Sequence, residues 1–256
     1  MSVNVKGQTP GDSITDKRIY LAYYATMPKG HGFISNEFAY EKENYSYFRS
    51  SNEFSSPAYH QLINTIGATY GITNHWQISA QLPFGKQYIQ YSNSDSIAPA
   101  TPYHQAALGN FLIEIKHGKT WNDGNDYQSF SLENSFATEN RLNIFKEGIH
   151  NKIAFEREHW FKKDDYYAYF FEAGLSTYYD GTFSWAEFEP NGEFGLMTQF
   201  HGYNFAWISV IQEGTNTIGE VGMESLFKDI SIDLFVNFQL LGNADYYAGG
   251  LKFQFY

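Results

Sequence analysis

Alternation of apolar and polar residues is the strongest signal in this chain. In the segment 230–240 every second residue is apolar, and the residues between them are polar except Phe235. The segment 75–84 has the same alternation, with Trp76 and Phe84 at the two ends of its apolar row. Because successive side chains of a β-strand point to opposite faces, both segments are predicted to be strands with one apolar and one polar face.

Similar segments recur along the whole chain and predict an all-β fold. Their predicted bounds are 32–43, 59–70, 75–88, 105–117, 127–138, 149–160, 166–179, 191–201, 204–213, 216–227, 230–241 and 245–256. Twelve antiparallel strands bring both chain ends to the same side, and short turns alternate with longer polar loops, as in bacterial outer-membrane barrels. We therefore predict a closed, up-and-down transmembrane β-barrel over 32–256, with a periplasmic lead-in at 1–31.

The composition favours a membrane barrel over a soluble fold. Aromatic residues make up 19% of the chain and are interleaved with polar ones. A soluble β-sandwich, the alternative fold, should have a core rich in Leu and Val. The sequence offers no apolar run long enough for a transmembrane helix, which leaves a barrel as the way to cross a bilayer. Residues 1–7 lack the apolar segment of a signal peptide, so we expect that an export signal has been removed.

Charge and residue usage exclude several partners. The net charge of -11 disfavours a nucleic-acid role, which needs a basic surface. The chain has no cysteine, and its eight histidines do not form pairs with metal-site spacing. We therefore expect no metal and no other cofactor.

The alternation also assigns charged residues to the inner face of the barrel. A charged side chain at mid-depth on the lipid face is costly, so the inward orientation is the favourable one. The predicted lumen or selectivity residues are Glu37, Glu114, Lys116, Glu133, Lys152, Glu156, Glu172, Glu193, Glu220, Glu224 and Asp233, with Glu41 and Lys252 on the same face. Acids outnumber bases, which favours the passage of cations or neutral solutes. In the alternative interpretation these groups pair across the lumen and close it.

Aromatic residues at the strand ends are predicted to form the two interfacial girdles of a membrane barrel. This set is Tyr45, Tyr47, Phe48, Tyr88, Tyr91, Trp121, Trp160, Phe161, Tyr178, Tyr179, Tyr246 and Tyr247. Three further aromatics, Phe183, Trp185 and Phe188, belong to the predicted external loop 180–190. They are candidates for binding an aromatic or hydrophobic solute.

No enzyme motif supports a catalytic role. A barrel hydrolase needs neighbouring Ser and His on its outer wall, which one strand can supply as His-x-Ser. The chain contains neither that motif nor Gly-x-Ser-x-Gly or His-Glu-x-x-His. We therefore expect no enzymatic activity, and an outer-membrane lipid hydrolase is the least favoured function.

Two short motifs resemble a known family. Met27-Pro28-Lys29-Gly30 leads into the first strand, and Tyr70-Gly71-Ile72-Thr73-Asn74 forms the next turn before a strand that ends in Leu82-Pro83-Phe84. Over about 27–84 the chain resembles an outer-membrane transporter family linked to the meta pathway of phenol degradation. The resemblance implies a closed outer-membrane barrel with a transport role and implies no catalytic residues.

The C-terminal segment indicates a further partner. Residues 249–256 alternate and end in the aromatic Tyr256, which resembles the terminal strand recognised by the barrel-assembly machinery, although the apolar row is shifted by one residue. We expect this machinery, membrane lipid, lipopolysaccharide and a small solute as partners. The expected function is passive passage of small cationic, neutral or hydrophobic aromatic solutes, and the alternative is a closed structural or adhesive barrel that acts through its loops.

Overall fold

A computed structural model describes residues 26–45, 57–91, 103–121, 126–136, 149–161, 167–179, 187–200, 204–227, 229–242 and 244–256. The strands are β1 Gly32–Tyr45, β2 Pro57–Gly71, β3 Trp76–Tyr91, β4 Tyr103–Leu108, β5 Phe111–Trp121, β6 Asp126–Phe136, β7 Ile149–Trp160, β8 Tyr167–Tyr179, β9 Glu187–Phe200, β10 Asn204–Glu213, β11 Asn216–Phe227, β12 Ile230–Leu241 and β13 Ala244–Phe255. In the described part of the chain, no helix has the length and apolar character needed to cross a membrane.

The strands close into one antiparallel barrel. Apart from β4 and β5, which both pair with β3, each strand pairs with its neighbours in sequence; β1 pairs with β13, and the pairing of β2 with β3 completes the ring. The strands β4 and β5 pair with different halves of β3, so they are two pieces of a single strand position. The predicted twelve-stranded, closed barrel is therefore confirmed.

The predicted strand 105–117 is interrupted because its partner contains a proline. Pro83 of β3 has no backbone N–H for the ladder. Between the pairs Gln81–Leu112 and Phe84–Leu108, the β4–β5 side contains one residue more than β3. The extra residue is accommodated at 109–110, where the Gly109 amide donates to the Pro83 carbonyl at 2.7 Å. This β-bulge divides the strand without opening the barrel.

The outer surface of the barrel is apolar on all sides. Large side chains such as Leu62, Ile153 and Val236 are more than half exposed, at 61%, 62% and 56%. They alternate with inward residues along β2, β7 and β12. Monomeric soluble proteins do not expose apolar surface of this extent, whereas a membrane barrel presents it to lipid.

Part of the interior is an apolar cluster. It contains Tyr127, Trp160, Ala168, Phe170, Met197 and Phe205, which are all buried and lie toward the short-turn ends of β6–β10. The prediction that Trp160 and Tyr246 belong to the membrane girdles is therefore wrong. Trp160 is 1% exposed within this cluster, and Tyr246 lines the central cavity. Both residues occupy the alternate positions of their strands that point into the barrel. This orientation determines their environment, although they lie near a strand end.

Three inner-face aromatic rings lie over glycines of the adjacent strand. Phe170 pairs with Gly195, Trp207 with Gly222, and Phe235 with Gly250. A Cβ atom at any of these glycines would collide with the ring opposite. The missing side chains thus give the rings room to lie flat along the wall.

Candidate functional site: the barrel lumen

A cavity of about 540 Å³ occupies the lumen. It is lined by inward residues of β1, β2, β3, β5 and β9–β13. Two sets of charged residues face the interior from different parts of the ring. We call the first set, Glu114, Lys116, Glu133, Lys152, Glu156 and Glu172 on β5–β8, the lysine wall. The second set, Glu37, Glu41, Glu220, Glu224, Asp233 and Lys252 on β1 and β11–β13, is the acidic wall.

Lys116 forms the centre of the lysine wall. Its Nζ lies 2.8 Å from Glu156 Oε2 and 3.7 Å from Glu114 Oε1. The hydroxyls of Ser129 and Ser131 donate to the two oxygens of Glu156 at 2.6 and 2.8 Å. The side chains of Lys116 and Glu156 are only 9% and 3% exposed. Each buried charge therefore has a charged partner, and Glu156 has further donors, as burial requires.

A second ion pair extends the lysine wall. Lys152 Nζ lies 2.6 Å from Glu172 Oε1. Glu133 is the register partner of both Glu114 and Lys152, and Glu193 is the register partner of Glu172. These pairings place the carboxylates and lysines in adjacent rows across the β5–β9 wall.

The acidic wall supplies mostly neutral donors to its carboxylates. The Ser231 hydroxyl lies 2.7 Å from Glu224 Oε1 and 3.2 Å from Asp233 Oδ1. Glu224 and Asp233 are themselves register partners. Lys252 pairs in register with Asp233 and Glu37, but within the described residues its ammonium forms no ion pair. Two carboxylates thus lie within reach of one hydroxyl, which has a single hydrogen to donate.

Glu220 is fixed by an aromatic and an amide side chain. Trp207 Nε1 donates to Glu220 Oε1 at 2.7 Å. The amide of Asn237, oriented with its nitrogen toward the carboxylate, lies 2.9 Å from Oε2. Glu37 and Glu41 complete this acidic side of the cavity.

The end of the lead-in lies inside the barrel. Thr26 and Met27 are buried, with 9% and 4% of their surface exposed. The Met27 amide donates to Gln77 Oε1 at 2.9 Å, and Thr26 contacts the inner face at Gly118. Residues 1–25 lie outside the described residues.

The predicted loop aromatics do not form a described site. Phe183 and Trp185 lie outside the described residues. The placement of Phe188 in a loop is wrong, because Phe188 is part of β9 and its side chain is 67% exposed on the outer face. The polar residues around position 188 suggested a loop, but their backbone continues the strand pairing with β8.

Several residues that hold the lumen charges are absent from the predicted set of lumen residues. Trp207 and Ser231 hold carboxylates of the acidic wall, although neither is charged. Glu158 has the same inward parity as Glu156 and is fully buried, and it accepts a hydrogen bond of 2.6 Å from Trp160 Nε1. The alternation of inward and outward residues along β7 would have identified Glu158. The contact of Trp207 with Glu220, in contrast, depends on the register of β10 against β11.

The outer wall carries one Asp–His pair. His159 Nδ1 lies 2.6 Å from Asp126 Oδ1, and Arg157 lies 3.5 Å from the same oxygen. The imidazole also contacts the rings of Phe161 and Tyr169. No serine is among these contacts in the described part of the chain, and the described residues contain no cluster of three or more metal-binding side chains.

Comparison with solved structures supports the barrel fold. The chain is similar to the COG4313 outer membrane channel from Pseudomonas putida F1, with 12% identity and a TM-score of 0.65 over 91% of this chain and 97% of that one. It is also similar to the KdgM porin in complex with disordered oligogalacturonate, with 7% identity and a TM-score of 0.54 over 87% and 99%. The translocator domain of the autotransporter NalP from Neisseria meningitidis has 8% identity and a TM-score of 0.50 over 94% and 92%.

No protein-family model and no curated protein matches the chain. The resemblance of residues 27–84 to the phenol-pathway family therefore stays a prediction. At these low identities the solved structures establish the architecture, and the chain has the fold of outer-membrane β-barrels.

Proposed function

We propose that the protein is a bacterial outer-membrane channel that passes small cationic or neutral solutes through an acidic lumen. The observation that carries this proposal is the acidic wall. Five carboxylates on β1, β11 and β12 face the cavity. Against them stands one lysine among the described residues that line the cavity on β1 and β11–β13. Like charges along a low-dielectric passage raise the local concentration of counter-ions, so the lumen favours cations over anions.

The outer surface supports the outer-membrane location. Its apolar side chains surround the barrel and alternate with the polar lumen face along each strand. A closed barrel satisfies all backbone groups between its strands, which is what the hydrocarbon core requires. The fold shared with the COG4313 channel and the KdgM porin adds support at the level of architecture.

The lysine wall gives the channel a fixed shape without neutralising it. Lys116 and Lys152 are bound by Glu156 and Glu172, so both ammonium groups are engaged by carboxylates of the same wall. The net field in the cavity therefore comes from the remaining acids. An acidic oligosaccharide such as the ligand named for the KdgM porin structure is not expected to enter this lumen.

Aromatic rings beside the cavity extend the proposal to aromatic solutes. Phe33, Trp207, Phe235 and Tyr246 line the same space as the acids. Such rings offer stacking surfaces, and they bind organic cations through cation–π contacts. The resemblance to a family linked to phenol degradation agrees with this solute class.

Planar-bilayer recordings of the purified barrel test the channel proposal. In a KCl gradient we expect discrete conductance steps and a reversal potential on the cation-selective side. The double variant Glu220→Gln/Glu224→Gln should move the reversal potential toward zero, because it removes two of the cavity carboxylates. A matched control, Lys152→Gln/Glu172→Gln, removes one ion pair without changing the net charge, and its reversal potential should stay at the wild-type value.

Two results would contradict the proposal. A folded barrel without conductance would favour the closed structural or adhesive barrel. Anion selectivity, or an equal shift of the reversal potential in both double variants, would show that the acidic wall does not determine the passage.

A further inference from the structure

The outer wall contains an apolar groove with two lysines at one end. The groove has a volume of about 680 Å³ and crosses β13, β1, β2 and β3 on the face opposite the lumen. Its sides are formed by Phe38, Tyr40, Leu62, Phe84 and Leu251. The floor is low at Gly249, which contributes no side chain to the outer face. The groove is therefore a depression in a mostly apolar part of the outer surface.

The register places two cationic side chains beside this groove. Lys86 borders the groove and lies in the same cross-strand row as Leu62, Tyr40 and Gly249. Lys42 is in the next row, opposite His60. The two lysines are on strands separated by one strand and are offset by one row, which sets their backbones about 12 Å apart. Lysine side chains are long enough to reach one phosphate, or two phosphates of one lipid, from this spacing.

Both lysines lie toward the long-loop end of the barrel. Lys86 is ten residues beyond Trp76, which begins β3 at the short-turn end. At about 3.3 Å per residue and a strand tilt of about 40°, Lys86 is roughly 25 Å above Trp76, near the upper edge of the apolar band. That is the depth of lipid headgroups, where a lipid-facing lysine is tolerated and attracts phosphate.

The polar groups near the lysines leave the ammonium groups available. The Tyr40 hydroxyl and His60 Nδ1 lie 2.7 Å apart on the outer face, within hydrogen-bond distance of each other. Within the described residues, neither Lys42 nor Lys86 forms an ion pair, in contrast to Lys116 and Lys152 of the lumen. An acyl chain that occupies the groove would place a phosphorylated headgroup beside both ammonium groups.

We propose that this groove is a binding site for one lipopolysaccharide molecule, with an acyl chain along Phe38, Leu62 and Leu251 and a headgroup phosphate at Lys42 and Lys86. The inference rests on the proposed outer-membrane location, because lipopolysaccharide is the phosphorylated lipid of the outer leaflet of that membrane. It is independent of conduction through the lumen.

Native mass spectrometry of the intact barrel in detergent tests this site. The barrel is titrated with purified lipopolysaccharide and, separately, with zwitterionic phosphatidylethanolamine, and we expect preferential retention of lipopolysaccharide. Lys42→Gln/Lys86→Gln should weaken that retention about thirtyfold, since each lysine near an anionic surface contributes roughly a factor of five. The matched control is Lys119→Gln, which neutralises an exposed lysine on the outer face at the opposite end of the barrel.

A second variant tests the acyl part of the site. A Cβ atom at Gly249 would meet its nearest neighbour at 3.5 Å, an ordinary contact, so Gly249→Leu can fold and fill the groove. It should reduce lipopolysaccharide retention with both lysines present. Equal retention of the two lipids, or equal loss in the Lys119 control and the double-lysine variant, would overturn the site. Conductance is measured on the same samples, so loss of the lipid site and failure of the channel are separate results.

Discussion

The two charged walls of the lumen stabilise their carboxylates in different ways. On the lysine wall, Glu156 is almost fully buried and is held by the ammonium of Lys116 and two serine hydroxyls. On the acidic wall, Glu224 and Asp233 share the hydroxyl of Ser231. A buried carboxylate needs a cation or hydrogen-bond donors; Glu156 has both, whereas Glu220 and Glu224 beside the cavity are held by neutral donors. The lysine wall thus shapes the barrel, and the acidic wall is the one proposed to act on solutes.

Removal of Lys116 should have the largest effect on this comparison. Lys116→Met keeps the volume but leaves Glu156 and Glu114 without their cation, which should cost about 3–5 kcal/mol of unfolding free energy. Lys252→Met on the acidic wall should cost much less, because Lys252 has no ion pair among the described residues. Denaturant unfolding of both variants in the same detergent gives the two values, and similar losses would mean that the walls do not differ in this respect.

Gly222→Ala should disturb the acidic wall through its aromatic neighbour. The new Cβ would collide with the ring of Trp207, which holds Glu220. Overpacking of this kind costs about 1–3 kcal/mol, and the displaced ring should also release the carboxylate. The unfolding midpoint and the reversal potential should therefore change together. Gly249→Ala, where the outer face offers space, should leave both quantities unchanged.

Substitution of single serines should give the smallest difference in unfolding free energy between the two walls. Ser231→Ala removes the hydroxyl between Glu224 and Asp233, which should cost about 1.5–3 kcal/mol for the hydrogen bond to a charged acceptor, less where water enters from the cavity. Ser131→Ala should cost less, because Glu156 retains Lys116 and Ser129. The thermal unfolding midpoints of the two variants show which substitution costs more stability. A larger loss for Ser131→Ala would show that the lysine wall depends on its hydroxyls more than on its ion pair.

The fold was more predictable than the details of the lumen. Strict alternation in 230–240 is a local property, and it predicted both the strand and its two faces. The same alternation predicts that Glu37, Glu133 and Glu220 point inward, and Glu37 and Glu220 line the cavity. It could not show that Trp207 reaches Glu220, because that contact depends on which residues of β10 and β11 lie opposite each other.

The position of a residue along its strand predicted its environment less well than the alternation of inward and outward side chains. Trp160 lies at a strand end, where an interfacial ring was expected, yet it packs inside against Phe205. Phe188 lies among polar residues typical of a loop, yet it extends β9. The alternation along β7 already places Trp160 inward, whereas the extension of β9 to Phe188 depends on its pairing with β8, which the local sequence does not contain.

The sequence by itself determined the architecture, because a period of two fixes which residues face lipid and which face the lumen before any strand pairs with another. Tertiary structure decided which inward charges meet. Lys116 reaches Glu156 only through the pairing of β5 with β6 and of β6 with β7. Closure of the barrel likewise brought β13 beside β1–β3, and this contact created the outer groove near Lys42 and Lys86. Such contacts join residues far apart in the chain, so their geometry exists only in the assembled ring.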